Sequence, residues 1–460
     1  MFGPDLPYAG VPAGLFRGAH PDRSPARDAL QERMGTSPPC YASAEYRVGE
    51  SRGHSLLLEE LMQSKFKLYL AIGILLSAFS GCGPPRPVTS RPATSSTTDT
   101  ATPLSVTEAH APPITSLKMI DAKDGWGIAN QSLLRTDNGG KSWSNVTPTE
   151  METVVSTIPT LAQGFNYYEF KAAFLDAKTA WIAAPGLDGI TFFHTVDGGR
   201  TWQKTELVVS TPQQVYPIQI ISFAFLNTQT GWLLRSTGMA AGQGFIELYQ
   251  TQNSGATWHL IAEGNETASG DIGSITTSGQ KTGVSFRDTA NGWLTGYSAG
   301  SAIYVYRTKD AGLTWNFQEL SIPNGYTAAG GSAQSYPATF FDDNKGVMPV
   351  YLGKTTPSIN LFFYITADGG ESWSATTPLS SPTNEFVWSW LDPSHGFAAE
   401  NGTGILYSTS DGGKSWSKIT LVGVKFSQLD FVSPMTGWGI SEGSLVQTLD
   451  GGKTWHTIYP

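Results

Sequence analysis

One eight-residue phrase recurs seven times along the chain, and it limits the fold more than any other feature. It runs Thr-x-Asp/Asn-x-Gly-x-Ser/Thr-Trp and ends at Trp143, Trp202, Trp258, Trp315, Trp373, Trp416 and Trp455. Its third position is Asn138, Asp197, Asn253, Asp310, Asp368, Asp411 or Asp450, and its fifth is always Gly. A second phrase, a small residue followed by a large apolar one, precedes each copy: Gly125-Trp126, Ala180-Trp181, Gly231-Trp232, Gly292-Trp293, Gly346-Val347, Gly396-Phe397 and Gly437-Trp438. The 14 tryptophans close the count, because the two phrases take all of them except Trp388 and Trp390. Residues 114–460 divide into seven units of about 50 residues, a period that belongs to repeat architectures.

The spelling has a physical basis. An Asp or Asn side chain accepts hydrogen bonds from backbone N–H groups of its own turn. Gly takes the positive-φ positions such a turn demands. The Trp is expected to plug the gap between neighbouring sheets, burying a large apolar area. The phrase resembles the Asp-box, also called the bacterial neuraminidase repeat. Each unit reads as four strands, for example 114–120, 126–129, 132–136 and 143–146 in the first, and 386–391, 396–400, 405–409 and 416–421 in the sixth. One such sheet cannot bury both faces alone, whereas radial stacking buries them and leaves only short edges. The expected fold is therefore all-β, a seven-bladed β-propeller with four-stranded antiparallel blades. No shared closing strand is evident, so the sequence leaves the latch of the ring open.

The region before residue 114 reads differently. In 62–82, Lys65 and Lys67 precede fourteen uncharged residues, Leu68 to Gly81, a length that suits a signal-peptide core better than a membrane span. The segment ends Phe79-Ser80-Gly81-Cys82 and resembles a bacterial lipoprotein signal, which implies acylation of Cys82; Phe79 departs from the usual Leu. An ordinary secretory signal is the alternative. Residues 1–61 show no sustained period and are expected to be a non-native or disordered extension, with Met62 as the start. Residues 83–113 are dominated by Pro, Ser and Thr and are expected to be a disordered tether. The 29 Lys+Arg and 38 Asp+Glu give a net charge of −9. Such a balance lowers the prior for nucleic acid, which selects a basic face. With Cys40 upstream and Cys82 carrying lipid, the propeller has no thiol and must rely on its core.

Alternating strands sort the turns onto two faces. The repeated phrases share one face with the turns between strands one and two. The blade connectors and the strand two–three loops share the other. Every long insertion falls on that second face: connectors 150–169, 264–281 and 321–337, and loops 236–245 and 351–360. Insertions on a repeat scaffold usually mark the binding face. Phe165, Tyr167, Tyr168, Tyr326 and Tyr336 lie in these insertions, and Trp388 and Trp390 stand on the inner strand of the sixth unit, so these seven are the candidate partner-binding residues. The alternative for each is simple packing of loop onto blade.

A sialidase would need three arginines converging on a carboxylate, a Tyr nucleophile with a Glu, and an Asp. The repeat region holds only Arg135, Arg200, Arg235, Arg287 and Arg307, at scattered places. A xyloglucanase-like hydrolase would need two propellers and a carboxylate pair between them. No catalytic residue, metal site or cofactor emerges. Residues 114–460 resemble the photosystem II stability and assembly factor family in their repeated Gly-Trp…Thr-x-Asp-Gly-Gly-x-Thr-Trp unit. That resemblance implies a non-enzymatic propeller, exported and lipid-anchored, that binds a protein partner such as an assembly intermediate of a membrane complex. The chain departs from the family in lacking an Arg-rich patch. A glycoside hydrolase or sialidase-like propeller binding a glycan is the alternative.

Overall fold

The fold follows from how each repeat disposes of its tryptophans and glycines. The structure, a computed structural model, describes residues 113–151, 170–186, 188–209, 218–240, 243–264, 273–354, 359–381 and 385–459. The lipoprotein-type segment, Cys82, the tether and most of connector 150–169 lie outside the described residues. The chain is an all-β propeller built on four-stranded antiparallel blades. Its described strands fall into seven sheets. The first comprises Ser116–Met119, Gly125–Ala129, Ser132–Thr136 and Ser144–Asn145. The sixth comprises Phe386–Trp390, Gly396–Glu400, Ile405–Thr409 and Ser417–Thr420. Middle strands sit within a residue of expectation. The outer ones are shorter, because Trp143 and Trp416 lie in the corners and not in the strands.

Two expectations need correction. The described parts of the segments 236–245 and 351–360 are paired strand and not loop. Gly231–Ala240 pairs with Gln243–Thr251 through to Ala240↔Gln243, and Gly346–Lys354 pairs with Ile359–Thr366 through to Gly353↔Ile359. Pairing satisfies backbone groups that a loop would leave to water. The connectors also join sheets: Gly273–Ser274 runs parallel to the edge of the third sheet, and Tyr326–Thr327 and Ala333–Ser335 pair with Gly346–Lys354 in the fifth.

Each sheet grips both its neighbours. The tryptophan of the second phrase reaches forward. Trp126 Nε1 donates to Asp176 O (2.9 Å), Trp181 to Ser254 O (2.8 Å) and Trp232 to Ala311 O (3.4 Å). All three indoles are fully buried, each contributing about 2–3 kcal/mol of transfer free energy. The fifth-position glycine of each corner packs backward. A Cβ on Gly199 would sit 2.6 Å from Val146 Cβ, and one on Gly413 2.6 Å from Thr376 Cγ2. Both glycines have φ near +80°, so close approach and backbone conformation together explain why this position never varies.

The same two contacts join the last sheet to the first. Trp438 Nε1 donates to Gly139 O (2.9 Å), and a Cβ on Gly140 would meet Leu445 Cδ2 at 2.9 Å. Inner strands add a staple that the sequence did not reveal. Gln428 accepts from Leu117 N (3.0 Å) and donates to Leu117 O (2.7 Å), while buried Asp430 accepts from Met119 N and from Lys118 Nζ (2.9 Å). Seven buried apolar clusters fill the wedges between neighbouring sheets.

Candidate functional site

On one face the polar groups are spent on structure. Asp197 Oδ1 accepts from Thr195 Oγ1 (2.8 Å) and Thr201 N (3.0 Å), and its Oδ2 accepts from Thr201 Oγ1 (2.6 Å). Asn138 keeps the same geometry with one donor reversed: its Nδ2 donates to Ser142 Oγ (2.7 Å). That reversal explains why Asp and Asn interchange, and it shows that the corner needs no charge. The leading Thr is a second fastener, since Thr195 Oγ1 accepts from Gly199 N (3.0 Å). The Ser372, Ser415 and Thr454 hydroxyls that donate to Asp368, Asp411 and Asp450 are the main reason these carboxyls fall to about 2. Every corner also donates one backbone N–H to a turn between strands one and two, as Gly139 N does to Lys123 O (2.8 Å) and Gly451 N to Met435 O (2.9 Å). Asp342 caps its own turn through Asn344 N (2.8 Å) and Lys345 N (2.7 Å).

The arginines are committed as well. Arg135 donates to Ala177 O (3.0 Å) of the next sheet and pairs with Asp124. Arg287 reaches Gly369 O (2.7 Å), and Arg307 pairs with Glu371 (2.6 Å), both bridging the fourth sheet to the fifth. Arg235 is buried against Glu247 (2.7 Å) inside the third sheet. Arg200 is exposed in its own corner and lies 3.5 Å from Asp197 O. Three of the five staple neighbouring sheets, so they form no anion clamp.

The opposite face is irregular and holds a concavity. Between the inner strands of the fifth and sixth sheets lies a pocket of about 490 Å³, lined by Gly331, Ser332, Gln334, Tyr336, Tyr351, Glu385, Phe386, Trp388 and Asn401. Split inner strand Ala333–Ser335 brings Gln334 and Tyr336 to it, and Phe386–Trp390 brings Phe386 and Trp388 on alternate positions, hence on one side of the strand. Tyr336 meets Trp388 edge-on with centroids 5.5 Å apart, and meets Tyr351 edge-on at 5.9 Å. Tyr351 Oη accepts from Phe386 N (2.9 Å), which ties the two sheets across the pocket floor. Asn401 Nδ2 donates to Glu385 Oε2 (3.0 Å), and Asn401 N to Glu385 O (3.0 Å). Burial pushes the Tyr336 phenol above its ordinary range, and the Glu385 carboxylate adds to the push. Elsewhere on this face, buried Lys281 clamps its connector by donating to the carbonyls of Gly244, Thr277, Ser278 and Gly279 at 2.9–3.2 Å. Burial lowers that amine to about 8.

Of the seven candidate residues, the pocket gathers Tyr336 and Trp388. Tyr326 stands edge-on to Phe362 (4.7 Å) with Lys354 Nζ 5.5 Å from its ring centroid, outside the lining. Trp390 is placed differently from expectation. It ends its strand next to the Asp392 turn, at the corner side, and packs on Phe363 (5.2 Å) and Trp416 (6.1 Å). Phe165, Tyr167 and Tyr168 lie outside the described residues. Sequence inspection missed Tyr351, Glu385, Asn401 and Gln334. Among the described residues, no group of three or more His, Cys, Asp or Glu side chains is disposed to hold a metal ion.

Fold and site together define a β-propeller with a self-bonded corner face and a pocketed opposite face. No protein-family model matches the chain, and no curated protein matches it. Among solved structures it is similar to YCF48 bound to D1 peptide, at 18% identity over 78% of this chain and 99% of that one, with a TM-score of 0.45. It is similar to YCF48 from Cyanidioschyzon merolae at 18% identity over 77% and 99%, TM-score 0.47. It is also similar to the GH74 xyloglucanase from Xanthomonas campestris at 13% identity, covering 78% of this chain and 56% of that one, TM-score 0.49.

Proposed function

We propose that the chain is an exported, lipid-anchored, seven-bladed Asp-box propeller that acts as a binding scaffold without catalysis. It takes a protein partner on the face opposite the corners, in the manner of the photosystem II assembly factors that its repeats resemble. Seven sheets, each corner seated on the sheet before it, support the blade count. Lipid attachment at Cys82 follows from the lipoprotein-like segment alone.

One observation carries the functional reading. The pocket on the insertion-rich face is lined by a single carboxylate, Glu385, among aromatic and amide groups. Glycoside hydrolysis by the usual routes takes two carboxylates flanking the bond. Nearby Glu400 is buried opposite Phe386 in the strand register and accepts from Tyr407 Oη (2.9 Å), so it is not part of the lining. Aromatic surface with few charges suits recognition.

The test is a crosslinked capture from membranes, comparing wild type, a Trp388→Ala variant and a corner-face Leu449→Ser variant. Capture is expected to vanish for Trp388→Ala and persist for Leu449→Ser, with Leu449→Ser melting near wild type and Trp388→Ala lowered in melting temperature but folded at the capture temperature. Equal capture by all three would refute the face assignment. Turnover of fluorogenic sialosides or xyloglucan fragments would refute the non-enzymatic part.

A further inference from the structure

We infer that the pocket between the fifth and sixth sheets is a binding site for a basic side chain, Lys or Arg, presented by the partner. This rests on the reading of that face as the recognition surface and adds the chemistry it selects.

The lining carries four aromatic residues, two amides and one carboxylate, with no Lys, Arg or His. Tyr336 and Trp388 are the partly exposed aromatics; Tyr351 and Phe386 are buried behind them. Asn401 holds the Glu385 carboxylate by one oxygen, and the carboxylate lies near enough to the Tyr336 phenol to raise it. A carboxylate fixed beside aromatic faces is the arrangement that attracts ammonium and guanidinium groups, through ion pairing and through the ring quadrupole.

The rest of the molecule supplies the contrast. Asp124, Glu247, Glu371 and Asp430 each have a cationic partner within the chain. Among the described residues Glu385 has none. Likewise, Trp126, Trp293, Tyr304, Tyr326 and Tyr407 each have a cation of the chain over the ring, at 5.3–5.7 Å. No described cation sits over Tyr336 or Trp388. Several acids and ring faces of the fold thus take their cation from within the chain; at the pocket a carboxylate and two partly exposed ring faces stand together with none among the described residues.

Charge selects the ligand class further. The pocket offers an anionic group, a phosphate or a terminal carboxylate, only neutral donors, set against repulsion from Glu385. The net charge of −9 adds a long-range field that favours a cationic partner. A neutral sugar would use the ring faces and the Asn401 and Gln334 amides but would leave the lone charge without a role.

The experiment titrates the full chain with three capped peptides that differ at one residue, Gly-Lys-Gly, Gly-Arg-Gly and Gly-norleucine-Gly, and with cellotetraose, following heat. Norleucine keeps the apolar stem of Lys and removes the charge. The basic peptides are expected to bind at least tenfold more tightly than norleucine or the sugar. Glu385→Gln, which keeps shape and the Asn401 contact, is expected to erase that preference while leaving the melting temperature unchanged. Raised salt is expected to weaken only the basic peptides. Equal affinity for Lys and norleucine, preferential sugar binding, an unaffected Glu385→Gln variant, or no binding of any probe would each overturn the inference. The membrane capture above reports on the face assignment separately: capture that depends on Trp388 while the peptides show no charge preference would sink this inference and leave that reading standing.

Discussion

The two faces of the propeller are made by the same strands, yet they obey opposite rules. On the corner face seven turns repeat nearly atom for atom, and every third-position carboxylate is bonded to its own loop. On the other face the described sheet ends differ. The third and fifth extend their hairpins, the fifth splits its inner strand, and a pocket lies between the fifth and sixth. Repetition persists where a corner must fit the neighbouring sheet. Once the strands leave that constraint the chain varies, and variation on a rigid frame is what recognition requires.

The largest effect that would sharpen this contrast is at a corner glycine. Gly199→Ala adds a Cβ 2.6 Å from Val146 Cβ at a φ of +84°. Overpacking and left-handed strain together are expected to cost about 3 kcal/mol or more, read as a lowered midpoint in urea. Gly402→Ala, with a φ of +69° and open space around it, isolates the backbone part and is expected to cost about 1 kcal/mol. Equal losses at both sites would break the argument that corners are constrained by their neighbours.

Next comes the staple between the last sheet and the first. Asp430→Ala removes the acceptor of Met119 N and the partner of Lys118. A loss of about 2 kcal/mol is expected, with faster hydrogen exchange at the Met119 amide than at amides of the fourth sheet. Uniform acceleration across all sheets would deny the staple a local role.

A smaller effect concerns pH. Asp368, Asp411 and Asp450 lie near 2 in the folded chain against an ordinary 3.8. A depressed carboxyl stabilises fully above its unfolded value and loses that stabilisation as pH falls through its folded value. Stability is therefore expected to decline from about pH 4 to about pH 2. Asp411→Asn, copying the natural Asn138 and Asn253 corners, is expected to flatten the decline without loss at neutral pH. Urea midpoints across that range provide the check, and an unchanged slope would mean the corner carboxylates carry no linkage.

The smallest effect on stability is at the pocket. Glu385→Gln is expected to shift stability by less than about 0.5 kcal/mol, because the carboxylate has one described partner and is exposed.

How much of this was legible in the sequence differs between the faces. The corner face was written out: the repeated Asp/Asn, Gly and Trp have fixed spacing, so local chemistry settled their turn and their side of the sheet. The role of the leading Thr was in plain view and was missed. Ring joining was not legible, because Leu117 meets Gln428 and Lys118 meets Asp430 across more than 300 residues with no local pattern to announce it. The pocket was half legible. Tyr336 and Trp388 showed themselves as aromatics outside the repeat, while Glu385, Asn401 and Tyr351 became site residues only when hairpin pairing set them side by side. Trp390 was misplaced because its neighbour Trp388 suggested a shared surface, whereas its strand ends at the corner side.

The account's central claim, that one face is fastened and the other recognises, is tested most directly by hydrogen exchange on the full chain with and without its captured partner. Protection is expected at 331–336, 385–388 and 401, with the seven corners unchanged. Protection concentrated at the corners, with the pocket segments unaltered, would contradict it.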